Sequence, residues 1–411
     1  MSGTETMTRM ASDAPRNRWL RLALRLAAMI KVGTLTVVMP DGTSHRVSAS
    51  DSPVATIVLR QPLAVRRLVV GGSLGLAEAY IDGLWDSPDI LGVMAVAAAN
   101  EAEWEEMLNG RPWVRVLSKV AHMLRPNTRG GARRNIIEHY DLGNAFYASW
   151  LDPSMTYSSA TFPDRNETLE AAQQHKIHRM CQMLRLSPGM RLLEIGCGWG
   201  SFAEVAARDY GVSVVGITLS PSQLEYGQAR IERAGLSSRV ELRLQDYRDV
   251  TGTFDRIASI EMFEAVGEKF WPEYFTTLRD RLRKNGVAAL QVITIADRLF
   301  DNYRSGADFI QRHIFPGGML PSKGRLKKAI GRAGLAWGEE FWFGRDYADT
   351  LSRWQENFQA AWPRIVANTA LNRRPCDERF RRMWEYYLAY CETGFRAGWT
   401  DVGQILIARN G

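Results

Sequence analysis

Leu192–Phe202 reads LLEIGCGWGSF. A short apolar run ends around an acidic residue, Glu194, and enters three alternating glycines, Gly196, Gly198 and Gly200. This pattern predicts a buried strand that runs into a tight turn and then a helix. Glycine suits such a turn because it has no Cβ, so the backbone can bend freely and come close to a ligand.

Outward from this turn the chain alternates. Leu169–Leu186 reads as a helix, Arg191–Ile195 as a strand and Phe202–Tyr210 as a helix. Val212–Ile217 follows as a strand, Ser220–Ala234 as a helix and Val240–Leu244 as a strand. Phe254–Ile260 is a strand, Trp271–Leu282 a helix and Val287–Ile293 a strand. Continuous apolar strands separated by amphipathic helices predict an α/β fold with a doubly wound, mostly parallel sheet. Ligands of such sheets bind at the carboxyl ends of the strands. The tail from Asp346, rich in Trp, Tyr and Phe, reads as helices that close over the sheet.

The turn alone does not distinguish cofactors, because dinucleotide enzymes also use glycine turns. Its spacing here is E-x-G-x-G-x-G rather than G-x-G-x-x-G. The second strand ends in Thr218-Leu219-Ser220, without the acid that usually holds an NAD ribose. Gln245-Asp246 follows the third strand, where an adenine amine would be bound. No phosphate-cradling lysine is present near the turn. Together these features point to S-adenosylmethionine, which has no pyrophosphate, and to methyl transfer.

The 411 residues suffice for two domains, and 45% apolar with 24% charged content is ordinary for a globular chain. No apolar run reaches the roughly 18 residues of a membrane span. Cys181, Cys197, Cys376 and Cys391 show no C-x-x-C spacing, so neither a metal site nor a disulfide framework is expected. Unpaired cysteines suit a reducing cytoplasm. No signal peptide is expected, because Arg21 and Arg25 interrupt the first apolar segment.

The net charge of +7 suits anionic partners. Arg16, Arg18, Arg21, Arg25 and Lys31 lie close together. Trp19–Ile30 has a helical period, with an apolar face and arginines towards another. Two readings are open: a helix lying in an anionic membrane surface, or an amphipathic helix packed on its own domain. Residues 1–15 read as a disordered tail, Lys31–Arg60 as short strands around Pro40-Asp41-Gly42, and Val93–Leu108 as helical. A boundary near 125–134 would separate an N-terminal lipid- or membrane-associated lobe, 16–130, from a catalytic domain, 131–411. The basic residues lack the interleaved aromatics of a single-strand groove, so no nucleic-acid partner is expected.

Several blocks, in order, resemble the cyclopropane fatty-acyl-phospholipid synthase and mycolic acid methyltransferase family. They are HYDLGNAFY at His139–Tyr147, MTYSSATF at Met155–Phe162, LLEIGCGWGSF, and GITLSPSQ at Gly216–Gln223. QDYRDV at Gln245–Val250, IEMFEAVG at Ile260–Gly267 and IFPGGMLP at Ile314–Pro321 continue the match. FGRDY at Phe343–Tyr347 and YYLAYCETGFR at Tyr386–Arg396 complete it. SLGLAEAYIDGLWD, from Ser73, resembles the N-terminal lobe of the full-length bacterial synthases.

The resemblance implies that Tyr157, Ser158, Glu194, Gly196, Gly198, Gly200, Thr218, Leu219, Gln223, Gln245 and Asp246 hold S-adenosylmethionine. Glu264 matches the family's active-site glutamate. Ser159, Gln291, Ile293 and Tyr347 match positions around a bicarbonate ion that serves the family as base. Cys391 matches a cysteine traditionally made catalytic, although a thiol offers little to alkene methylation and a small buried hydrophobe is its other role. The chain departs from the pattern at three places. Ser159 stands where the family often has Cys, Gln291 where it has His, and Glu261 where it has Gly. The combination resembles a second, cyclopropane-synthase-like bacterial branch.

The implied reaction is attack of an unactivated alkene on the sulfonium methyl, loss of a proton from the resulting carbocation, and ring closure. It needs aromatic faces or carboxylate charge near the cation, and a pocket that keeps water out. Phe263, Tyr303, Phe309, Trp342 and Tyr347 are aromatic candidates, each also readable as core. Gln291 cannot take up a proton near neutral pH as His would, so a methyl-branched unsaturated or furan-pathway lipid is an alternative product. The implied substrate is the unsaturated acyl chain of a membrane phospholipid, met at the inner surface of the cytoplasmic membrane. The similar full-length synthases form dimers, so a homodimer is expected. A small-molecule methyltransferase and a non-catalytic lipid-binding protein are the competing readings.

Overall fold

A computed structural model describes residues 17–108, 142–306, 308–367 and 376–409. The chain divides into two compact units. One holds the described residues up to 108 together with Glu378–Thr393, and the other holds 142–377 and the chain from Gly394.

In the first unit, α1 (Arg18–Ala27) starts at an Asn17 cap and precedes β1 (Thr34–Val38), β2 (Ser44–Ser48) and β3 (Val54–Leu59). α2 (Leu63–Ile81), β4 (Trp85–Asp86), α3 (Ile90–Ala99) and α4 (Glu101–Leu108) follow. The strands form a sheet in the order β2-β1-β3-β4. α1 packs against α2 and buries Leu26 and Ala27, while Arg18, Arg21 and Arg25 stay exposed. No helix among the described residues is long and apolar enough to cross a membrane.

The second unit starts with the short helix α5 (Asn144–Ala148) and α6 (Leu169–Met183). Its alternating part is β5 (Arg191–Ile195), α7 (Ser201–Tyr210), β6 (Ser213–Thr218), α8 (Pro221–Arg233) and β7 (Val240–Leu244). β8 (Phe254–Ile260), α9 (Trp271–Arg281) and β9 (Leu282–Ile295) continue it. Then come α10 (Asp297–Arg304), α11 (Phe309–His313), α12 (Lys323–Arg332), β10 (Leu335–Trp342), α13 (Gly344–Ala367), α14 (Glu378–Arg396) and β11 (Thr400–Arg409).

The seven strands run in the order β10-β11-β9-β8-β5-β6-β7. β9, β8, β5, β6 and β7 are parallel, and β11 lies antiparallel between β9 and β10. β5 sits in the middle of the five parallel strands. The chain winds from it to β6 and β7 on one side, then returns to place β8 and β9 on the other. Neighbouring connections therefore leave in opposite directions between β5 and β8, and their carboxyl ends open a crevice there. Two apolar layers hold the sheet. One face buries Phe254, Phe263, Tyr274, Phe275 and Leu278, and the other Ile177, Met180, Phe202 and Val214.

The doubly wound, mostly parallel sheet agrees with the alternation in the sequence. Two features differ. β10 follows no regular strand or helix period, and β11 lies at the end of the tail from Asp346 that the sequence reads as helical. The tail helix α14 does not belong wholly to the sheet unit, since its residues 378–393 fall in the first unit. There Arg382 donates through Nε to the Tyr80 carbonyl at 2.6 Å and through a terminal nitrogen to the Trp85 carbonyl at 2.6 Å. Arg379 meets Asp82 at 3.0 Å. The expected tail 1–15 and boundary 125–134 lie outside the described residues.

Gly403 is the tightest point of the antiparallel addition, because a Cβ built on it would fall 2.6 Å from the Trp342 ring. Gly403→Ala should cost about 1–3 kcal/mol by overpacking. A lowered thermal midpoint would show this, and an unchanged midpoint would mean that Trp342 yields freely.

Candidate active site

Two turns bound the crevice between β5 and β8. The first is the glycine turn, with Gly196, Gly198 and Gly200 at φ +87°, +50° and +85°. A Cβ on Gly196 would lie 2.8 Å from the Met262 side chain, so the first turn touches the second. A Cβ on Gly198 would meet nothing within 4 Å, which leaves that stretch of backbone open to a ligand. Glu194 is 2% exposed and one carboxyl oxygen, Oε2, has no partner among the described residues. Burial pushes its carboxyl up to about 8, against the pull of the Lys176 charge. This acceptor and the open backbone fit a ligand that brings hydrogen-bond donors to the turn.

The other cofactor candidates lie along the same edge. Thr218 Oγ1 donates to Gln223 Oε1 at 2.9 Å and accepts from the Ser220 amide at 3.1 Å, with Leu219 half-buried between. Gln245 donates to the Asp249 carbonyl at 2.8 Å. Asp246 accepts from Arg248 Nε at 2.8 Å and from a terminal guanidinium nitrogen at 2.6 Å. Tyr157 stands in an aromatic nest, with ring centroids 5.4 Å from Tyr147, 5.6 Å from Trp150 and 5.3 Å from Trp354. Trp199, from the glycine turn, joins it 5.2 Å from Tyr147. Such faces suit a cationic ligand. Arg230 holds the preceding loop by donating to the Ser154 carbonyl at 2.7 Å.

The second turn carries the carboxyl groups. β8 ends at Ile260, and Glu261 turns the chain at φ +48°. A non-glycine residue in this left-handed region costs roughly 1–2 kcal/mol, so something must hold it there. The Glu261 amide donates to the Gln291 carbonyl at 2.8 Å, and its carboxylate is held by three donors. Oε1 accepts from the Ser159 amide at 2.9 Å and from Gln291 Nε2 at 2.8 Å, and Oε2 accepts from the Tyr347 hydroxyl at 2.6 Å. Burial raises this carboxyl above its usual range, opposed first by the Tyr347 and Gln291 hydrogen bonds and then by the Lys176 charge.

Three residues on, Glu264 turns its carboxyl inward. Oε1 accepts from the Ile293 amide at 2.6 Å, and Oε2 is buried with no partner among the described residues. Burial, and then the neighbouring Glu261 charge, push Glu264 up to about 8.

The structure thus brings Ser159, Gln291, Ile293, Tyr347 and Glu264 together. Ser159 contributes its backbone amide, since its own hydroxyl donates to the Ala160 carbonyl. Tyr347 stacks on Phe395 at 4.5 Å. Ser158 accepts at Oγ from Lys176 Nζ at 2.6 Å. Cys391 falls on the part of α14 that belongs to the first unit, half-buried. Phe263 is core, at 1% exposure among Trp271, Tyr274 and Phe275. His139 lies outside the described residues.

The residues do not fit a bicarbonate ion. The Ser159 amide, the Gln291 amide group and the Tyr347 hydroxyl, which the resemblance gives to bicarbonate, are already engaged by Glu261.

Three further residues complete the site. Glu261 shows in the sequence as a departure from glycine, without a hint of where its carboxylate points. Lys176 is fully buried, and burial lowers its ammonium to about 8 against the pull of Glu261, Asp152 and Glu194. Gln404, from β11, donates through Nε2 to Gln291 Oε1 at 3.1 Å and to the Lys176 carbonyl at 3.2 Å. Because Gln291 Oε1 accepts there, its Nε2 must face Glu261. Neither Lys176 nor Gln404 carries a local sequence signal.

A central glycine turn, a doubly wound sheet and a ligand edge at the switch point define the class I S-adenosylmethionine-dependent methyltransferases. The family model for mycolic acid cyclopropane synthetase matches residues 128–405, and the chain belongs to that family. It is 37% identical over 412 residues to tuberculostearic acid methyltransferase UfaA1 of Mycobacterium tuberculosis, covering 98% of this chain and 92% of that protein. It is 38% identical over 389 residues to cyclopropane-fatty-acyl-phospholipid synthase of Escherichia coli K12, covering 91% of this chain and 95% of that protein. Among solved structures, mycolic acid cyclopropane synthase CmaA1 complexed with SAH and CTAB is similar at 30% identity and a TM-score of 0.62. That match covers 70% of this chain and 99% of the other.

The raised Glu264 group makes a pH prediction. Between about 4.5 and 8 the unfolded chain has released this proton and the native chain keeps it, so stability falls as pH rises. Glu264→Gln removes the effect. The thermal midpoint of the variant should gain on the wild type from pH 5 to 8 and the difference should level off above 8. Parallel pH profiles would show that Glu264 is not shifted.

Proposed function

We propose that this chain transfers a methyl(ene) group from S-adenosylmethionine to the cis double bond of an unsaturated acyl chain in a membrane phospholipid, giving a cyclopropane ring. The observation that carries this reading is the pair of inward-turned carboxyl groups, Glu261 and Glu264, beside the open glycine turn. Buried carboxyls are costly unless they serve charge that develops during a reaction. S-adenosylmethionine supplies the electrophilic methyl group when bound.

In this reading Gly196, Gly198, Gly200 and Glu194 hold the methionine part of the cofactor. Thr218, Leu219 and Gln223 hold the ribose side, Gln245 and Asp246 the adenine side, and Tyr157 with Ser158 the sulfonium side. Tyr347 and the carboxyl groups face the reacting carbons, and the aromatic nest excludes water. Cys391 has no chemical part in this reading.

A second product is favoured by specific observations. Gln291 stands where a His would accept a proton, and the relative that covers 98% of this chain is named for tuberculostearic acid. Loss of a proton from the chain, not from the new methyl group, would give a methyl-branched unsaturated lipid. Transfer to a soluble small molecule accords less well with water-shielded carboxyls than transfer to an alkene. Exposed Arg18, Arg21 and Arg25 on α1 support peripheral contact with an anionic membrane, at the inner surface of the cytoplasmic membrane. A homodimer belongs to the same reading, and nucleic acid does not.

The purified protein should move label from methyl-labelled S-adenosylmethionine into unsaturated phospholipid vesicles. NMR of the product then separates a ring from a branched alkene. Glu264→Gln should lower the rate by about 10²- to 10³-fold, as for loss of one preorganised polar group aimed at developing charge. Absence of label in the lipid, with transfer to a soluble acceptor, would overturn the reading.

A further inference from the structure

We propose that Glu261 is the base of the reaction, a carboxylate built into the chain where the resemblance places a bicarbonate ion. The inference rests on the alkene methylation proposed above.

The geometry argues for it in three ways. A carboxylate and a bicarbonate both present an O–C–O edge, and Glu261 takes the donors of that edge: Ser159 N–H, Gln291 Nε2–H and Tyr347 O–H. A carboxylate has about four lone-pair sites. The three donors use two sites on Oε1 and one on Oε2, so Oε2 keeps a lone pair for a proton. Finally, the chain keeps Glu261 at φ +48°, a backbone better suited to glycine. A strained residue held by hydrogen bonds at a ligand edge is a mark of function.

The two neighbouring carboxyls also divide the roles. Burial raises both carboxyls, but at Glu261 three donors and the Lys176 charge oppose it. Glu264 has the Ile293 amide and faces the Glu261 charge, so it holds its proton to about 8. Environments that separate two carboxyls in this way assign one as base and leave the other neutral. Gln291, which cannot act as a base, is here a donor, fixed in that sense by Gln404. The departure at 291 and the departure at 261 are therefore one change. Histidine with an exchangeable anion gives way to an amide with a tethered carboxylate.

The step balances as follows. The alkene π pair forms a bond to the sulfonium methyl carbon, and the C–S bond breaks with its electron pair going to sulfur. The adjacent chain carbon becomes a cation. Glu261 Oε2 takes a proton from the new methyl group, and that C–H pair closes the ring. If the proton comes from the chain carbon beside the cation, the pair forms a double bond and the methyl branch remains. The proton passes from Glu261 to water after the product leaves.

The test uses the full chain, labelled S-adenosylmethionine and vesicles of unsaturated phosphatidylglycerol in carbon-dioxide-free buffer. The wild type should turn over equally with and without added bicarbonate. Glu261→Gln should bind S-adenosylmethionine as the wild type does by calorimetry, yet turn over about 10²- to 10⁴-fold more slowly, with no gain from bicarbonate. Glu261→Gly suits the left-handed backbone and frees the three donors, so its lost activity should return in part when bicarbonate is added. A wild-type rate that falls on bicarbonate withdrawal would overturn the proposal even if neither variant folds. So would a Glu261→Gln rate close to the wild type. No wild-type transfer to lipid at all would instead overturn the function on which the proposal rests.

Discussion

The carboxylate of Glu261 ties together segments that are far apart in the chain. Ser159 comes from the loop before α6, Gln291 from β9 and Tyr347 from the first turn of α13, and all three donate to it. A buried carboxylate without donors would cost several kcal/mol, so each segment is held where it can supply one. The backbone strain at Glu261 is accepted on the same account. The loop before α6, the strand β9 and the helix α13 are thus registered against one group.

Behind that group lies a second layer. Gln404 on the antiparallel β11 fixes the Gln291 amide, and Lys176 on α6 supplies positive charge to Glu261 and Glu194. The strands added to the parallel sheet therefore do more than lengthen it. β11 brings a polar residue, fully buried, to the middle of the sheet just where the carboxylate needs an oriented donor.

Much of the fold could be read from the residues. The parallel strands were legible because they are buried on both faces and so are continuously apolar, as in Val214–Ile217. The helix starts were legible where Ser220 and Thr168 cap them. β10 was not, because Trp337, Trp342 and the charged Glu339 and Glu340 between them follow neither a strand nor a helix period. Nor was the division of α14, since its membership depends on Arg379 and Arg382 finding Asp82, Tyr80 and Trp85 about three hundred residues away.

The sequence by itself determined the methyl-donor class and the family. Glycines at 196, 198 and 200 and the ordered blocks after them are local features, set by backbone sterics and nearest neighbours. It also determined which positions depart from the family, at 159, 261 and 291. Only the tertiary structure decided what those departures mean together. A side chain's hydrogen-bond partners are set by the sheet order, and the β8–β9 pairing that places Gln291 beside Ile260 is a long-range contact that no local pattern encodes.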